Sequence, residues 1–497
     1  MINLDREADK PLYLQLFEQI RAEIITGSFP AGSKLPPIRK LAEELGIARN
    51  TVETSYQHLA QEGYVVSRAG SGYRVEHLDL EDIALAGYVM EWTNSIPKAA
   101  NSPSPVIHPA DLSLLGQSER QNQKSAFEAN AVPVVYDFTY RNLEKGTFPS
   151  RLWRTLIGEV LLSSDVDGAN RYPDNAGEPQ LRNLIARKLQ STRGLHCDPR
   201  QVILQSGTQA SLMNLLLLFD SGGKSVAVEE PGYDGVRTVF ANAHFTLHPC
   251  PIYRNEEEFL TAVQASRAKL AFITPSNQFP TGRIMGLSCR QRLLDWAHKT
   301  DAYLIEDDYC REYRYNTRPL PSLQFLDRYD RVIYMGTLSK VLSPALRMNY
   351  LVLPPQLLGR WNDLFSTIYP SVSWLSQAVL TRFLEDGHWE KHLRRTRAHN
   401  KRKHELLLSA LKRFMGSRID IMESGAGLHV LVGVHNGSDQ HGLIAAAAEQ
   451  GVRVYDTDRY WMTEKHPLNN YVLVGFSAIE EDRIEEGVKR LARAWFG

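Results

Sequence analysis

Lys340 has the neighbours that a covalent binding site for an aldehyde would need. It closes the run Met335-Gly336-Thr337-Leu338-Ser339-Lys340, which places hydroxyls at Thr337 and Ser339, and Arg347 follows seven residues later. A lysine amine condenses with an aldehyde, while hydroxyls and a guanidinium hold a phosphate, so the set suits a phosphate-bearing aldehyde cofactor. Upstream, Gln205-Ser206-Gly207-Thr208-Gln209 stands between a strand pattern and a helical one. Backbone N–H groups at such a helix start bind anions, which completes a cradle. Glu306-Asp307-Asp308-Tyr309 follows the apolar strand Tyr303-Leu304-Ile305. An Asp placed there can pair with a protonated ring nitrogen, a Tyr can bond a ring hydroxyl, and Tyr233, in Glu230-Pro231-Gly232-Tyr233, can stack on the ring face.

A second set lies near the start of the chain. Arg49, Asn50 and Thr51 open one helical pattern, Arg39 lies near the start of the preceding one, and Arg68-Ala69-Gly70-Ser71-Gly72 joins two short strand patterns. Cations and amides at helix starts and glycine-rich tips donate to phosphates and base edges.

Periodicity supplies the elements that position these residues. Leu12, Leu16, Ile20 and Ile24 recur at helical spacing over residues 12–25, predicting a first helix. After Pro36-Pro37 a second is expected from Ile38 to about Leu45, stopped by Gly46. Val52, Tyr56 and Leu59 mark a third over Ala48 to Glu62, and Tyr64-Val65-Val66-Ser67 with Tyr73-Arg74-Val75 form a hairpin. Three helices with a tight turn between the second and third, then a two-stranded wing, make a winged helix-turn-helix. The set Arg39, Arg49, Asn50, Thr51, Arg68, Gly70, Ser71 and Gly72 is therefore assigned to double-stranded DNA. Over residues 1–76, nine Lys and Arg face ten Asp and Glu, so the DNA contact must be local rather than a general basic field.

Residues 77–132 read as a linker, punctuated by Pro97, Pro103, Pro105 and Pro109, with one short helix near Asp82 to Glu91. Beyond it, Val202-Ile203-Leu204, Ser225-Val226-Ala227-Val228, Leu270-Ala271-Phe272-Ile273, Tyr303-Leu304-Ile305 and Arg331-Val332-Ile333-Tyr334-Met335 alternate with helical stretches. That is the pattern of an α/β domain on a largely parallel sheet. A smaller α+β part has strands near His429-Val430-Leu431-Val432 and Tyr471-Val472-Leu473-Val474. The expected division is residues 1–76, 77–132 and 133–497, the last with a large part at about 165–375 and a small part at 133–164 and 376–497.

Composition bounds the rest. Of 497 residues, 43% are hydrophobic and 23% charged, close to the average for soluble globular chains and far from collagen-like, disordered or membrane classes. No apolar run reaches a membrane span, and Met1-Ile2-Asn3-Leu4-Asp5 lacks a signal-peptide start, so a cytoplasmic address is expected. Net charge is zero, with 57 Lys+Arg against 57 Asp+Glu. Cys197, Cys250, Cys289 and Cys310 are scattered, so neither a metal site nor a disulfide framework is expected.

The stretch Leu35-Pro36-Pro37-Ile38-Arg39-Lys40-Leu41-Ala42-Glu43-Glu44-Leu45-Gly46-Ile47-Ala48-Arg49-Asn50-Thr51-Val52 resembles the helix-turn-helix of the GntR family. The rear residues, with Asn277-Gln278-Phe279-Pro280-Thr281-Gly282 in the place of an N-P-T-G loop, resemble fold-type I aminotransferases. By that resemblance Lys340 is the Schiff-base lysine for pyridoxal phosphate, Asp307 pairs with the pyridine nitrogen, Tyr309 and Asn277 serve the ring hydroxyl, and Tyr233 stacks. Gly207, Thr208, Gln209, Thr337, Ser339 and Arg347 would hold the phosphate. Tyr172, in Arg171-Tyr172-Pro173-Asp174-Asn175-Ala176-Gly177, matches a residue lent to the neighbouring subunit's phosphate, which implies a homodimer. A GntR-type head, a linker and an aminotransferase-like body together resemble the MocR/GabR subfamily of bacterial regulators, as do Ala426-Gly427-Leu428-His429 and Gly475-Phe476-Ser477. In that subfamily the body is a sensor, and head-to-tail swapped dimers rest each head on the partner's body.

Three departures shape the expected function. Phe279 stands where the family has Asn, leaving Asn277 or Gln278 to serve the ring hydroxyl. Ala478 and Gly235 stand where members that hold a carboxylate carry Arg, so the bidentate clamp is missing. The expected protein is a transcription regulator that senses pyridoxal phosphate, or an amine that takes the cofactor from Lys340, with at most residual transaminase activity. The other reading is an active aminotransferase with an accessory DNA-binding head. Arg171, His429 and Arg459 are the remaining polar candidates for effector contact.

Overall fold

The structure is a computed structural model describing residues 4, 11–25, 28–30, 32–61, 65–68, 72–75, 133–219, 224–315, 320–369, 372–422, 425–462 and 467–497. The linker, with its short helix near Asp82 to Glu91, lies outside the described residues, as do Gly70 and Ser71. The chain divides into two compact units, the first built on residues up to Val75 and the second on residues from Pro133.

In the first unit, helices Leu12–Ile25, Ile38–Leu45 and Arg49–Gln61 bury Leu16, Ile20, Ile24, Leu41, Val52, Tyr56 and Leu59 in one core. Apart from Leu41, these are the positions that helical spacing selects, with Leu12 left half-buried. Gly46, at φ 61, caps the second helix in the left-handed region and sends its N–H back to the carbonyls of Ala42 and Glu43. Only glycine takes that conformation without strain, and it lets the third helix start three residues later. Tyr56 fixes the turn from the other side, its hydroxyl donating to the Pro36 carbonyl at 2.9 Å. The hairpin pairs β1 (Val65–Arg68) with β2 (Gly72–Val75), Arg68 opposite Gly72. Arg68 thus ends a strand rather than sitting in the turn, because the first strand runs one residue further than its apolar pattern.

The second unit begins with β3 (Tyr136–Asp137) and contains a seven-stranded sheet of β4 (Val202–Gln205), β5 (Ser225–Glu230), β6 (Thr246–Pro251), β7 (Leu270–Ile273), β8 (Tyr303–Asp308), β9 (Val332–Thr337) and β10 (Asn349–Val352). The order is β4-β10-β9-β8-β7-β5-β6, parallel except for β10, which runs antiparallel to both neighbours. Both faces are covered. Leu270 and Phe272 fall in one apolar cluster while Ala271 and Ile273 fall in another, as period-two side chains on a doubly buried strand must.

A three-stranded antiparallel sheet follows, with β12 (His429–Val434) between β11 (Ile419–Ile421) and β14 (Tyr471–Gly475). Before β14, β13 (Val452–Arg453) pairs parallel with β3, joining the start of this unit to its last hundred residues. Among the described residues no helix is long and apolar enough to cross a membrane.

Candidate functional site

The site gathers at the ends of the parallel strands, where an α/β sheet opens a crevice. Strand β8 carries three consecutive carboxylates, all within the strand rather than after it. Alternation sends Glu306 and Asp308 to one face and Asp307 to the other. Glu306 accepts the backbone N–H groups of Leu323 and Gln324, each at 3.0 Å, and Asp308 accepts Arg193 and, at 2.8 Å, the Tyr334 hydroxyl. Asp307 is buried, and its Oδ1 has no hydrogen-bond partner. Burial, with Asp308 and Glu229 nearby, pushes its carboxyl from 3.8 up to about 8, against the pull of Lys340.

Asp307 shares a cavity of about 520 Å³ with Lys340, Tyr309, Tyr233, Thr208, Gln209, Thr337, Ser339 and Arg347. Lys340 comes from the turn after β9, and its Nζ donates to the Tyr140 carbonyl at 3.3 Å. Burial, aided by Arg141, holds this amine below the usual lysine range. Asn277 Nδ2 donates to the Tyr309 hydroxyl at 2.7 Å. Gln278 is turned away, bonding Glu229 and the carbonyls of Pro231 and Phe279. Between the two candidates left by Phe279, the backbone therefore brings Asn277 to the tyrosine. The Phe279 ring stands nearly edge-on to Tyr233 and Tyr309 in the cavity wall.

The residues expected to hold a phosphate are arranged differently from what the sequence suggests. Gly207 precedes helix Thr208–Leu216, but its N–H is taken by Asn349 Oδ1 at 3.0 Å. Its contribution is room, since a Cβ there would come within 2.2 Å of the Arg347 guanidinium and φ is +97. Thr208 and Gln209 open the helix and line the cavity. Arg347 itself sits at φ 47, a strained position for a side chain other than glycine.

Two sequence candidates, Tyr172 and Arg171, lie outside the cavity, and a third, His429, lines it as a neutral ring. Tyr172 is 76% exposed and stacks on Tyr369, with ring centroids 4.6 Å apart. Arg171 pairs with Glu178 at 2.6 Å and does not line the cavity. His429 does line it, but burial lowers its pKa to about 4, so the neutral ring donates from Nε2 to the Pro280 carbonyl at 2.9 Å. Sequence reasoning missed Tyr140 and Arg141, both in the cavity wall. They follow β3 directly, in a stretch without periodicity, and only the chain's return past Lys340 brings them in.

At the head, Arg49 and Asn50 stand exposed in the first turn of the third helix and Thr51 is half-buried. Arg39 is exposed and forms an i,i+4 pair with Glu43 at 3.0 Å.

The chain matches the family of bacterial regulatory proteins of the gntR type over residues 12–75, and aminotransferase class I and II over residues 140–491. It is 35% identical to the uncharacterized HTH-type transcriptional regulator YdeL of Bacillus subtilis (strain 168) over 494 residues, covering 99% of this chain and 98% of that protein. It is 34% identical to MocR of Rhizobium meliloti, a probable rhizopine catabolism regulatory protein, over 100% of this chain and 96% of that one. Among solved structures it resembles the kynurenine aminotransferase of Pyrococcus horikoshii crystallised with PMP, at 26% identity and TM-score 0.65 over 77% of this chain and 98% of the other. The chain belongs to the MocR-type HTH transcriptional regulators, in which a GntR head is joined to a body of the pyridoxal-phosphate-dependent aminotransferase class I and II family.

Proposed function

We propose that the regulator senses a small amine through pyridoxal phosphate held in the Lys340 cavity. The observation that carries this reading is Asp307 Oδ1, a buried carboxylate oxygen without a partner in the same cavity as a lysine amine. Such an atom is costly unless a donor arrives, and a protonated pyridine nitrogen is that donor. When bound, the cofactor supplies an aldehyde that exchanges between amines. Lys340 provides the protein's own amine, whose pKa burial lowers. Asp307 holds the ring nitrogen's proton, Tyr309 backed by Asn277 meets the ring hydroxyl, and Tyr233 covers the ring face. Thr208, Gln209, Thr337, Ser339 and Arg347 hold the phosphate in the space that Gly207 leaves.

Two copies act together in this reading. Tyr172, exposed and outside its own cavity, serves the phosphate of a second copy in a head-to-tail swapped homodimer. The heads bind two half-sites of operator DNA in the cytoplasm, with Arg49, Asn50 and Thr51 in the major groove, Arg39 at a phosphate, and Arg68, Gly70, Ser71 and Gly72 at the wing. The effector needs only to bind two arrangements of the dimer unequally. Coupling of about 1–3 kcal/mol would change operator affinity roughly 5- to 150-fold.

The test is the absorption spectrum of the full-length protein mixed with pyridoxal phosphate, with operator binding followed in parallel. A visible band that Lys340→Ala abolishes, and that an amine shifts together with DNA affinity, is expected. A flat spectrum, or an amine that moves the band without moving DNA affinity at all, overturns the reading.

A further inference from the structure

The third helix of the head carries an acid on the side that faces solvent. Val52, Tyr56 and Leu59 point into the head's core, which leaves Arg49, Asn50, Glu53 and Gln57 exposed on the opposite side. Arg49, Glu53 and Gln57 follow one another at intervals of four, so they line up along that face, with Asn50 beside them. Arg49 and Glu53 are the only Lys, Arg, Asp or Glu residues of this helix, and their charges cancel. A helix that enters a DNA groove gains from cations, whereas a carboxylate on the same face is repelled by the phosphates of both strands.

Glu53 does not serve to hold Arg49. On the second helix the pairs Arg39 with Glu43, at 3.0 Å, and Lys40 with Glu44, at 3.7 Å, form at the same spacing and in the same order, cation first. On the third helix the corresponding pair does not form. Among the described residues the Glu53 carboxylate has neither an ion pair nor a hydrogen-bond partner. An ionised carboxylate has acceptors only, so it cannot bond a phosphate, and in the major groove it can bond only the exocyclic amines of cytosine and adenine. Adenine N6 lies between two acceptors, its own N7 and the O4 of the paired thymine, whereas cytosine N4 has an acceptor, guanine O6, on one side only. Cytosine is therefore the base that a carboxylate meets with least repulsion, and guanine and thymine, which present acceptors without a donor, are rejected.

We infer that Glu53 is a specificity-determining residue that reads one cytosine in each operator half-site, its carboxylate accepting from N4. This rests on the reading that sets the start of the third helix in the major groove. The carboxylate weakens binding to DNA in general and recovers the loss at the right base, so it sharpens discrimination by penalising wrong sequences.

The test is selection of full-length wild type, Glu53→Gln and Glu53→Ala from a pool of random duplex DNA, followed by titration of matched duplexes that differ at one base pair. Wild type is expected to select a motif with a fixed cytosine in each half-site and to lose about tenfold in affinity when that C·G pair becomes T·A, the scale of one base contact. A glutamine amide offers a donor and an acceptor together and suits adenine. Glu53→Gln should therefore shift that single position from cytosine to adenine, and Glu53→Ala should leave it unselective. Both variants should bind random DNA more tightly than wild type, because an anion facing the phosphates has gone. A motif that is unchanged in both variants, or one that changes at many positions at once, overturns the inference. If wild type selects no motif, or if Arg49→Ala and Asn50→Ala leave motif and affinity untouched, the major-groove reading fails with it. A selective wild type whose motif depends on Arg49 or Asn50 but not on Glu53 overturns the cytosine contact alone.

Discussion

The side-chain amide nitrogen of Asn277 donates to the Tyr309 hydroxyl at 2.7 Å, and the amide oxygen is buried without a partner. A residue two positions before the family's usual Asn thus does the holding, while Gln278 braces Glu229. Asn277→Ala is expected to weaken pyridoxal phosphate binding about three- to tenfold, the scale of one neutral hydrogen bond. Gln278→Ala should instead lower the melting temperature and leave that affinity close to wild type. Cofactor titration and thermal unfolding of the two variants separate these effects.

Asp307→Asn keeps the shape of the side chain but removes its ability to become an anion. Hydrogen bonds to charged groups contribute about 1.5–3 kcal/mol, so the variant should bind pyridoxal phosphate roughly 10- to 100-fold more weakly. Equal affinity in a direct titration would show that Asp307 does not meet the ring nitrogen.

The same substitution should change the pH response of the ligand-free protein. The Asp307 carboxyl is raised from 3.8 to about 8, chiefly by burial, so the folded state holds this proton more tightly than the unfolded chain. Its contribution to stability is fully present below pH 3.8, declines as pH rises and is lost above about 8. The melting temperature of Asp307→Asn minus that of wild type should therefore grow across that interval, as measured by calorimetry in matched buffers. A flat difference would refute the assignment.

Gly207→Ala puts a methyl group where the Arg347 guanidinium lies, at a φ of +97 that side chains rarely adopt. Backbone strain of this kind costs about 1–3 kcal/mol. The exposed arginine can swing aside, so the larger loss should appear in pyridoxal phosphate affinity, and pyridoxal without its phosphate should be affected less.

At the head, Arg49→Ala should weaken binding to all operator sequences and reduce the salt dependence by about one counterion if Arg49 meets a phosphate. Asn50→Ala should relax base preference at one position by about 1–3 kcal/mol if it reads an edge. Operator titrations at several salt concentrations distinguish the two.

Much of this was legible in the residues. The three helices of the head follow from where Leu16, Ile20, Val52 and Tyr56 recur, and the apolar runs of the parallel sheet are long enough to betray strands buried on both faces. Two strands of the seven-stranded sheet were not legible. Pro249 and Pro251 argue against a strand over Thr246–Pro251, yet β6 is at the sheet edge, where a missing N–H costs nothing. Strand β10 is four residues inserted antiparallel between β4 and β9, and nothing in a strand-helix alternation announces it. Within the site, Lys340 and Asp307 are marked by their own neighbours. Arg141 is not, because its place depends on a long-range return of the chain.

The role of Asn349 on β10 extends beyond the sheet. Its Oδ1 holds both the Gly207 N–H and, at 3.0 Å, the Ser211 hydroxyl, so the loop before helix Thr208–Leu216 is fastened by the protein alone. The conformational entropy of that loop is lost during folding and not at capture. A phosphate arriving at this loop finds it already shaped and meets no ordering cost there.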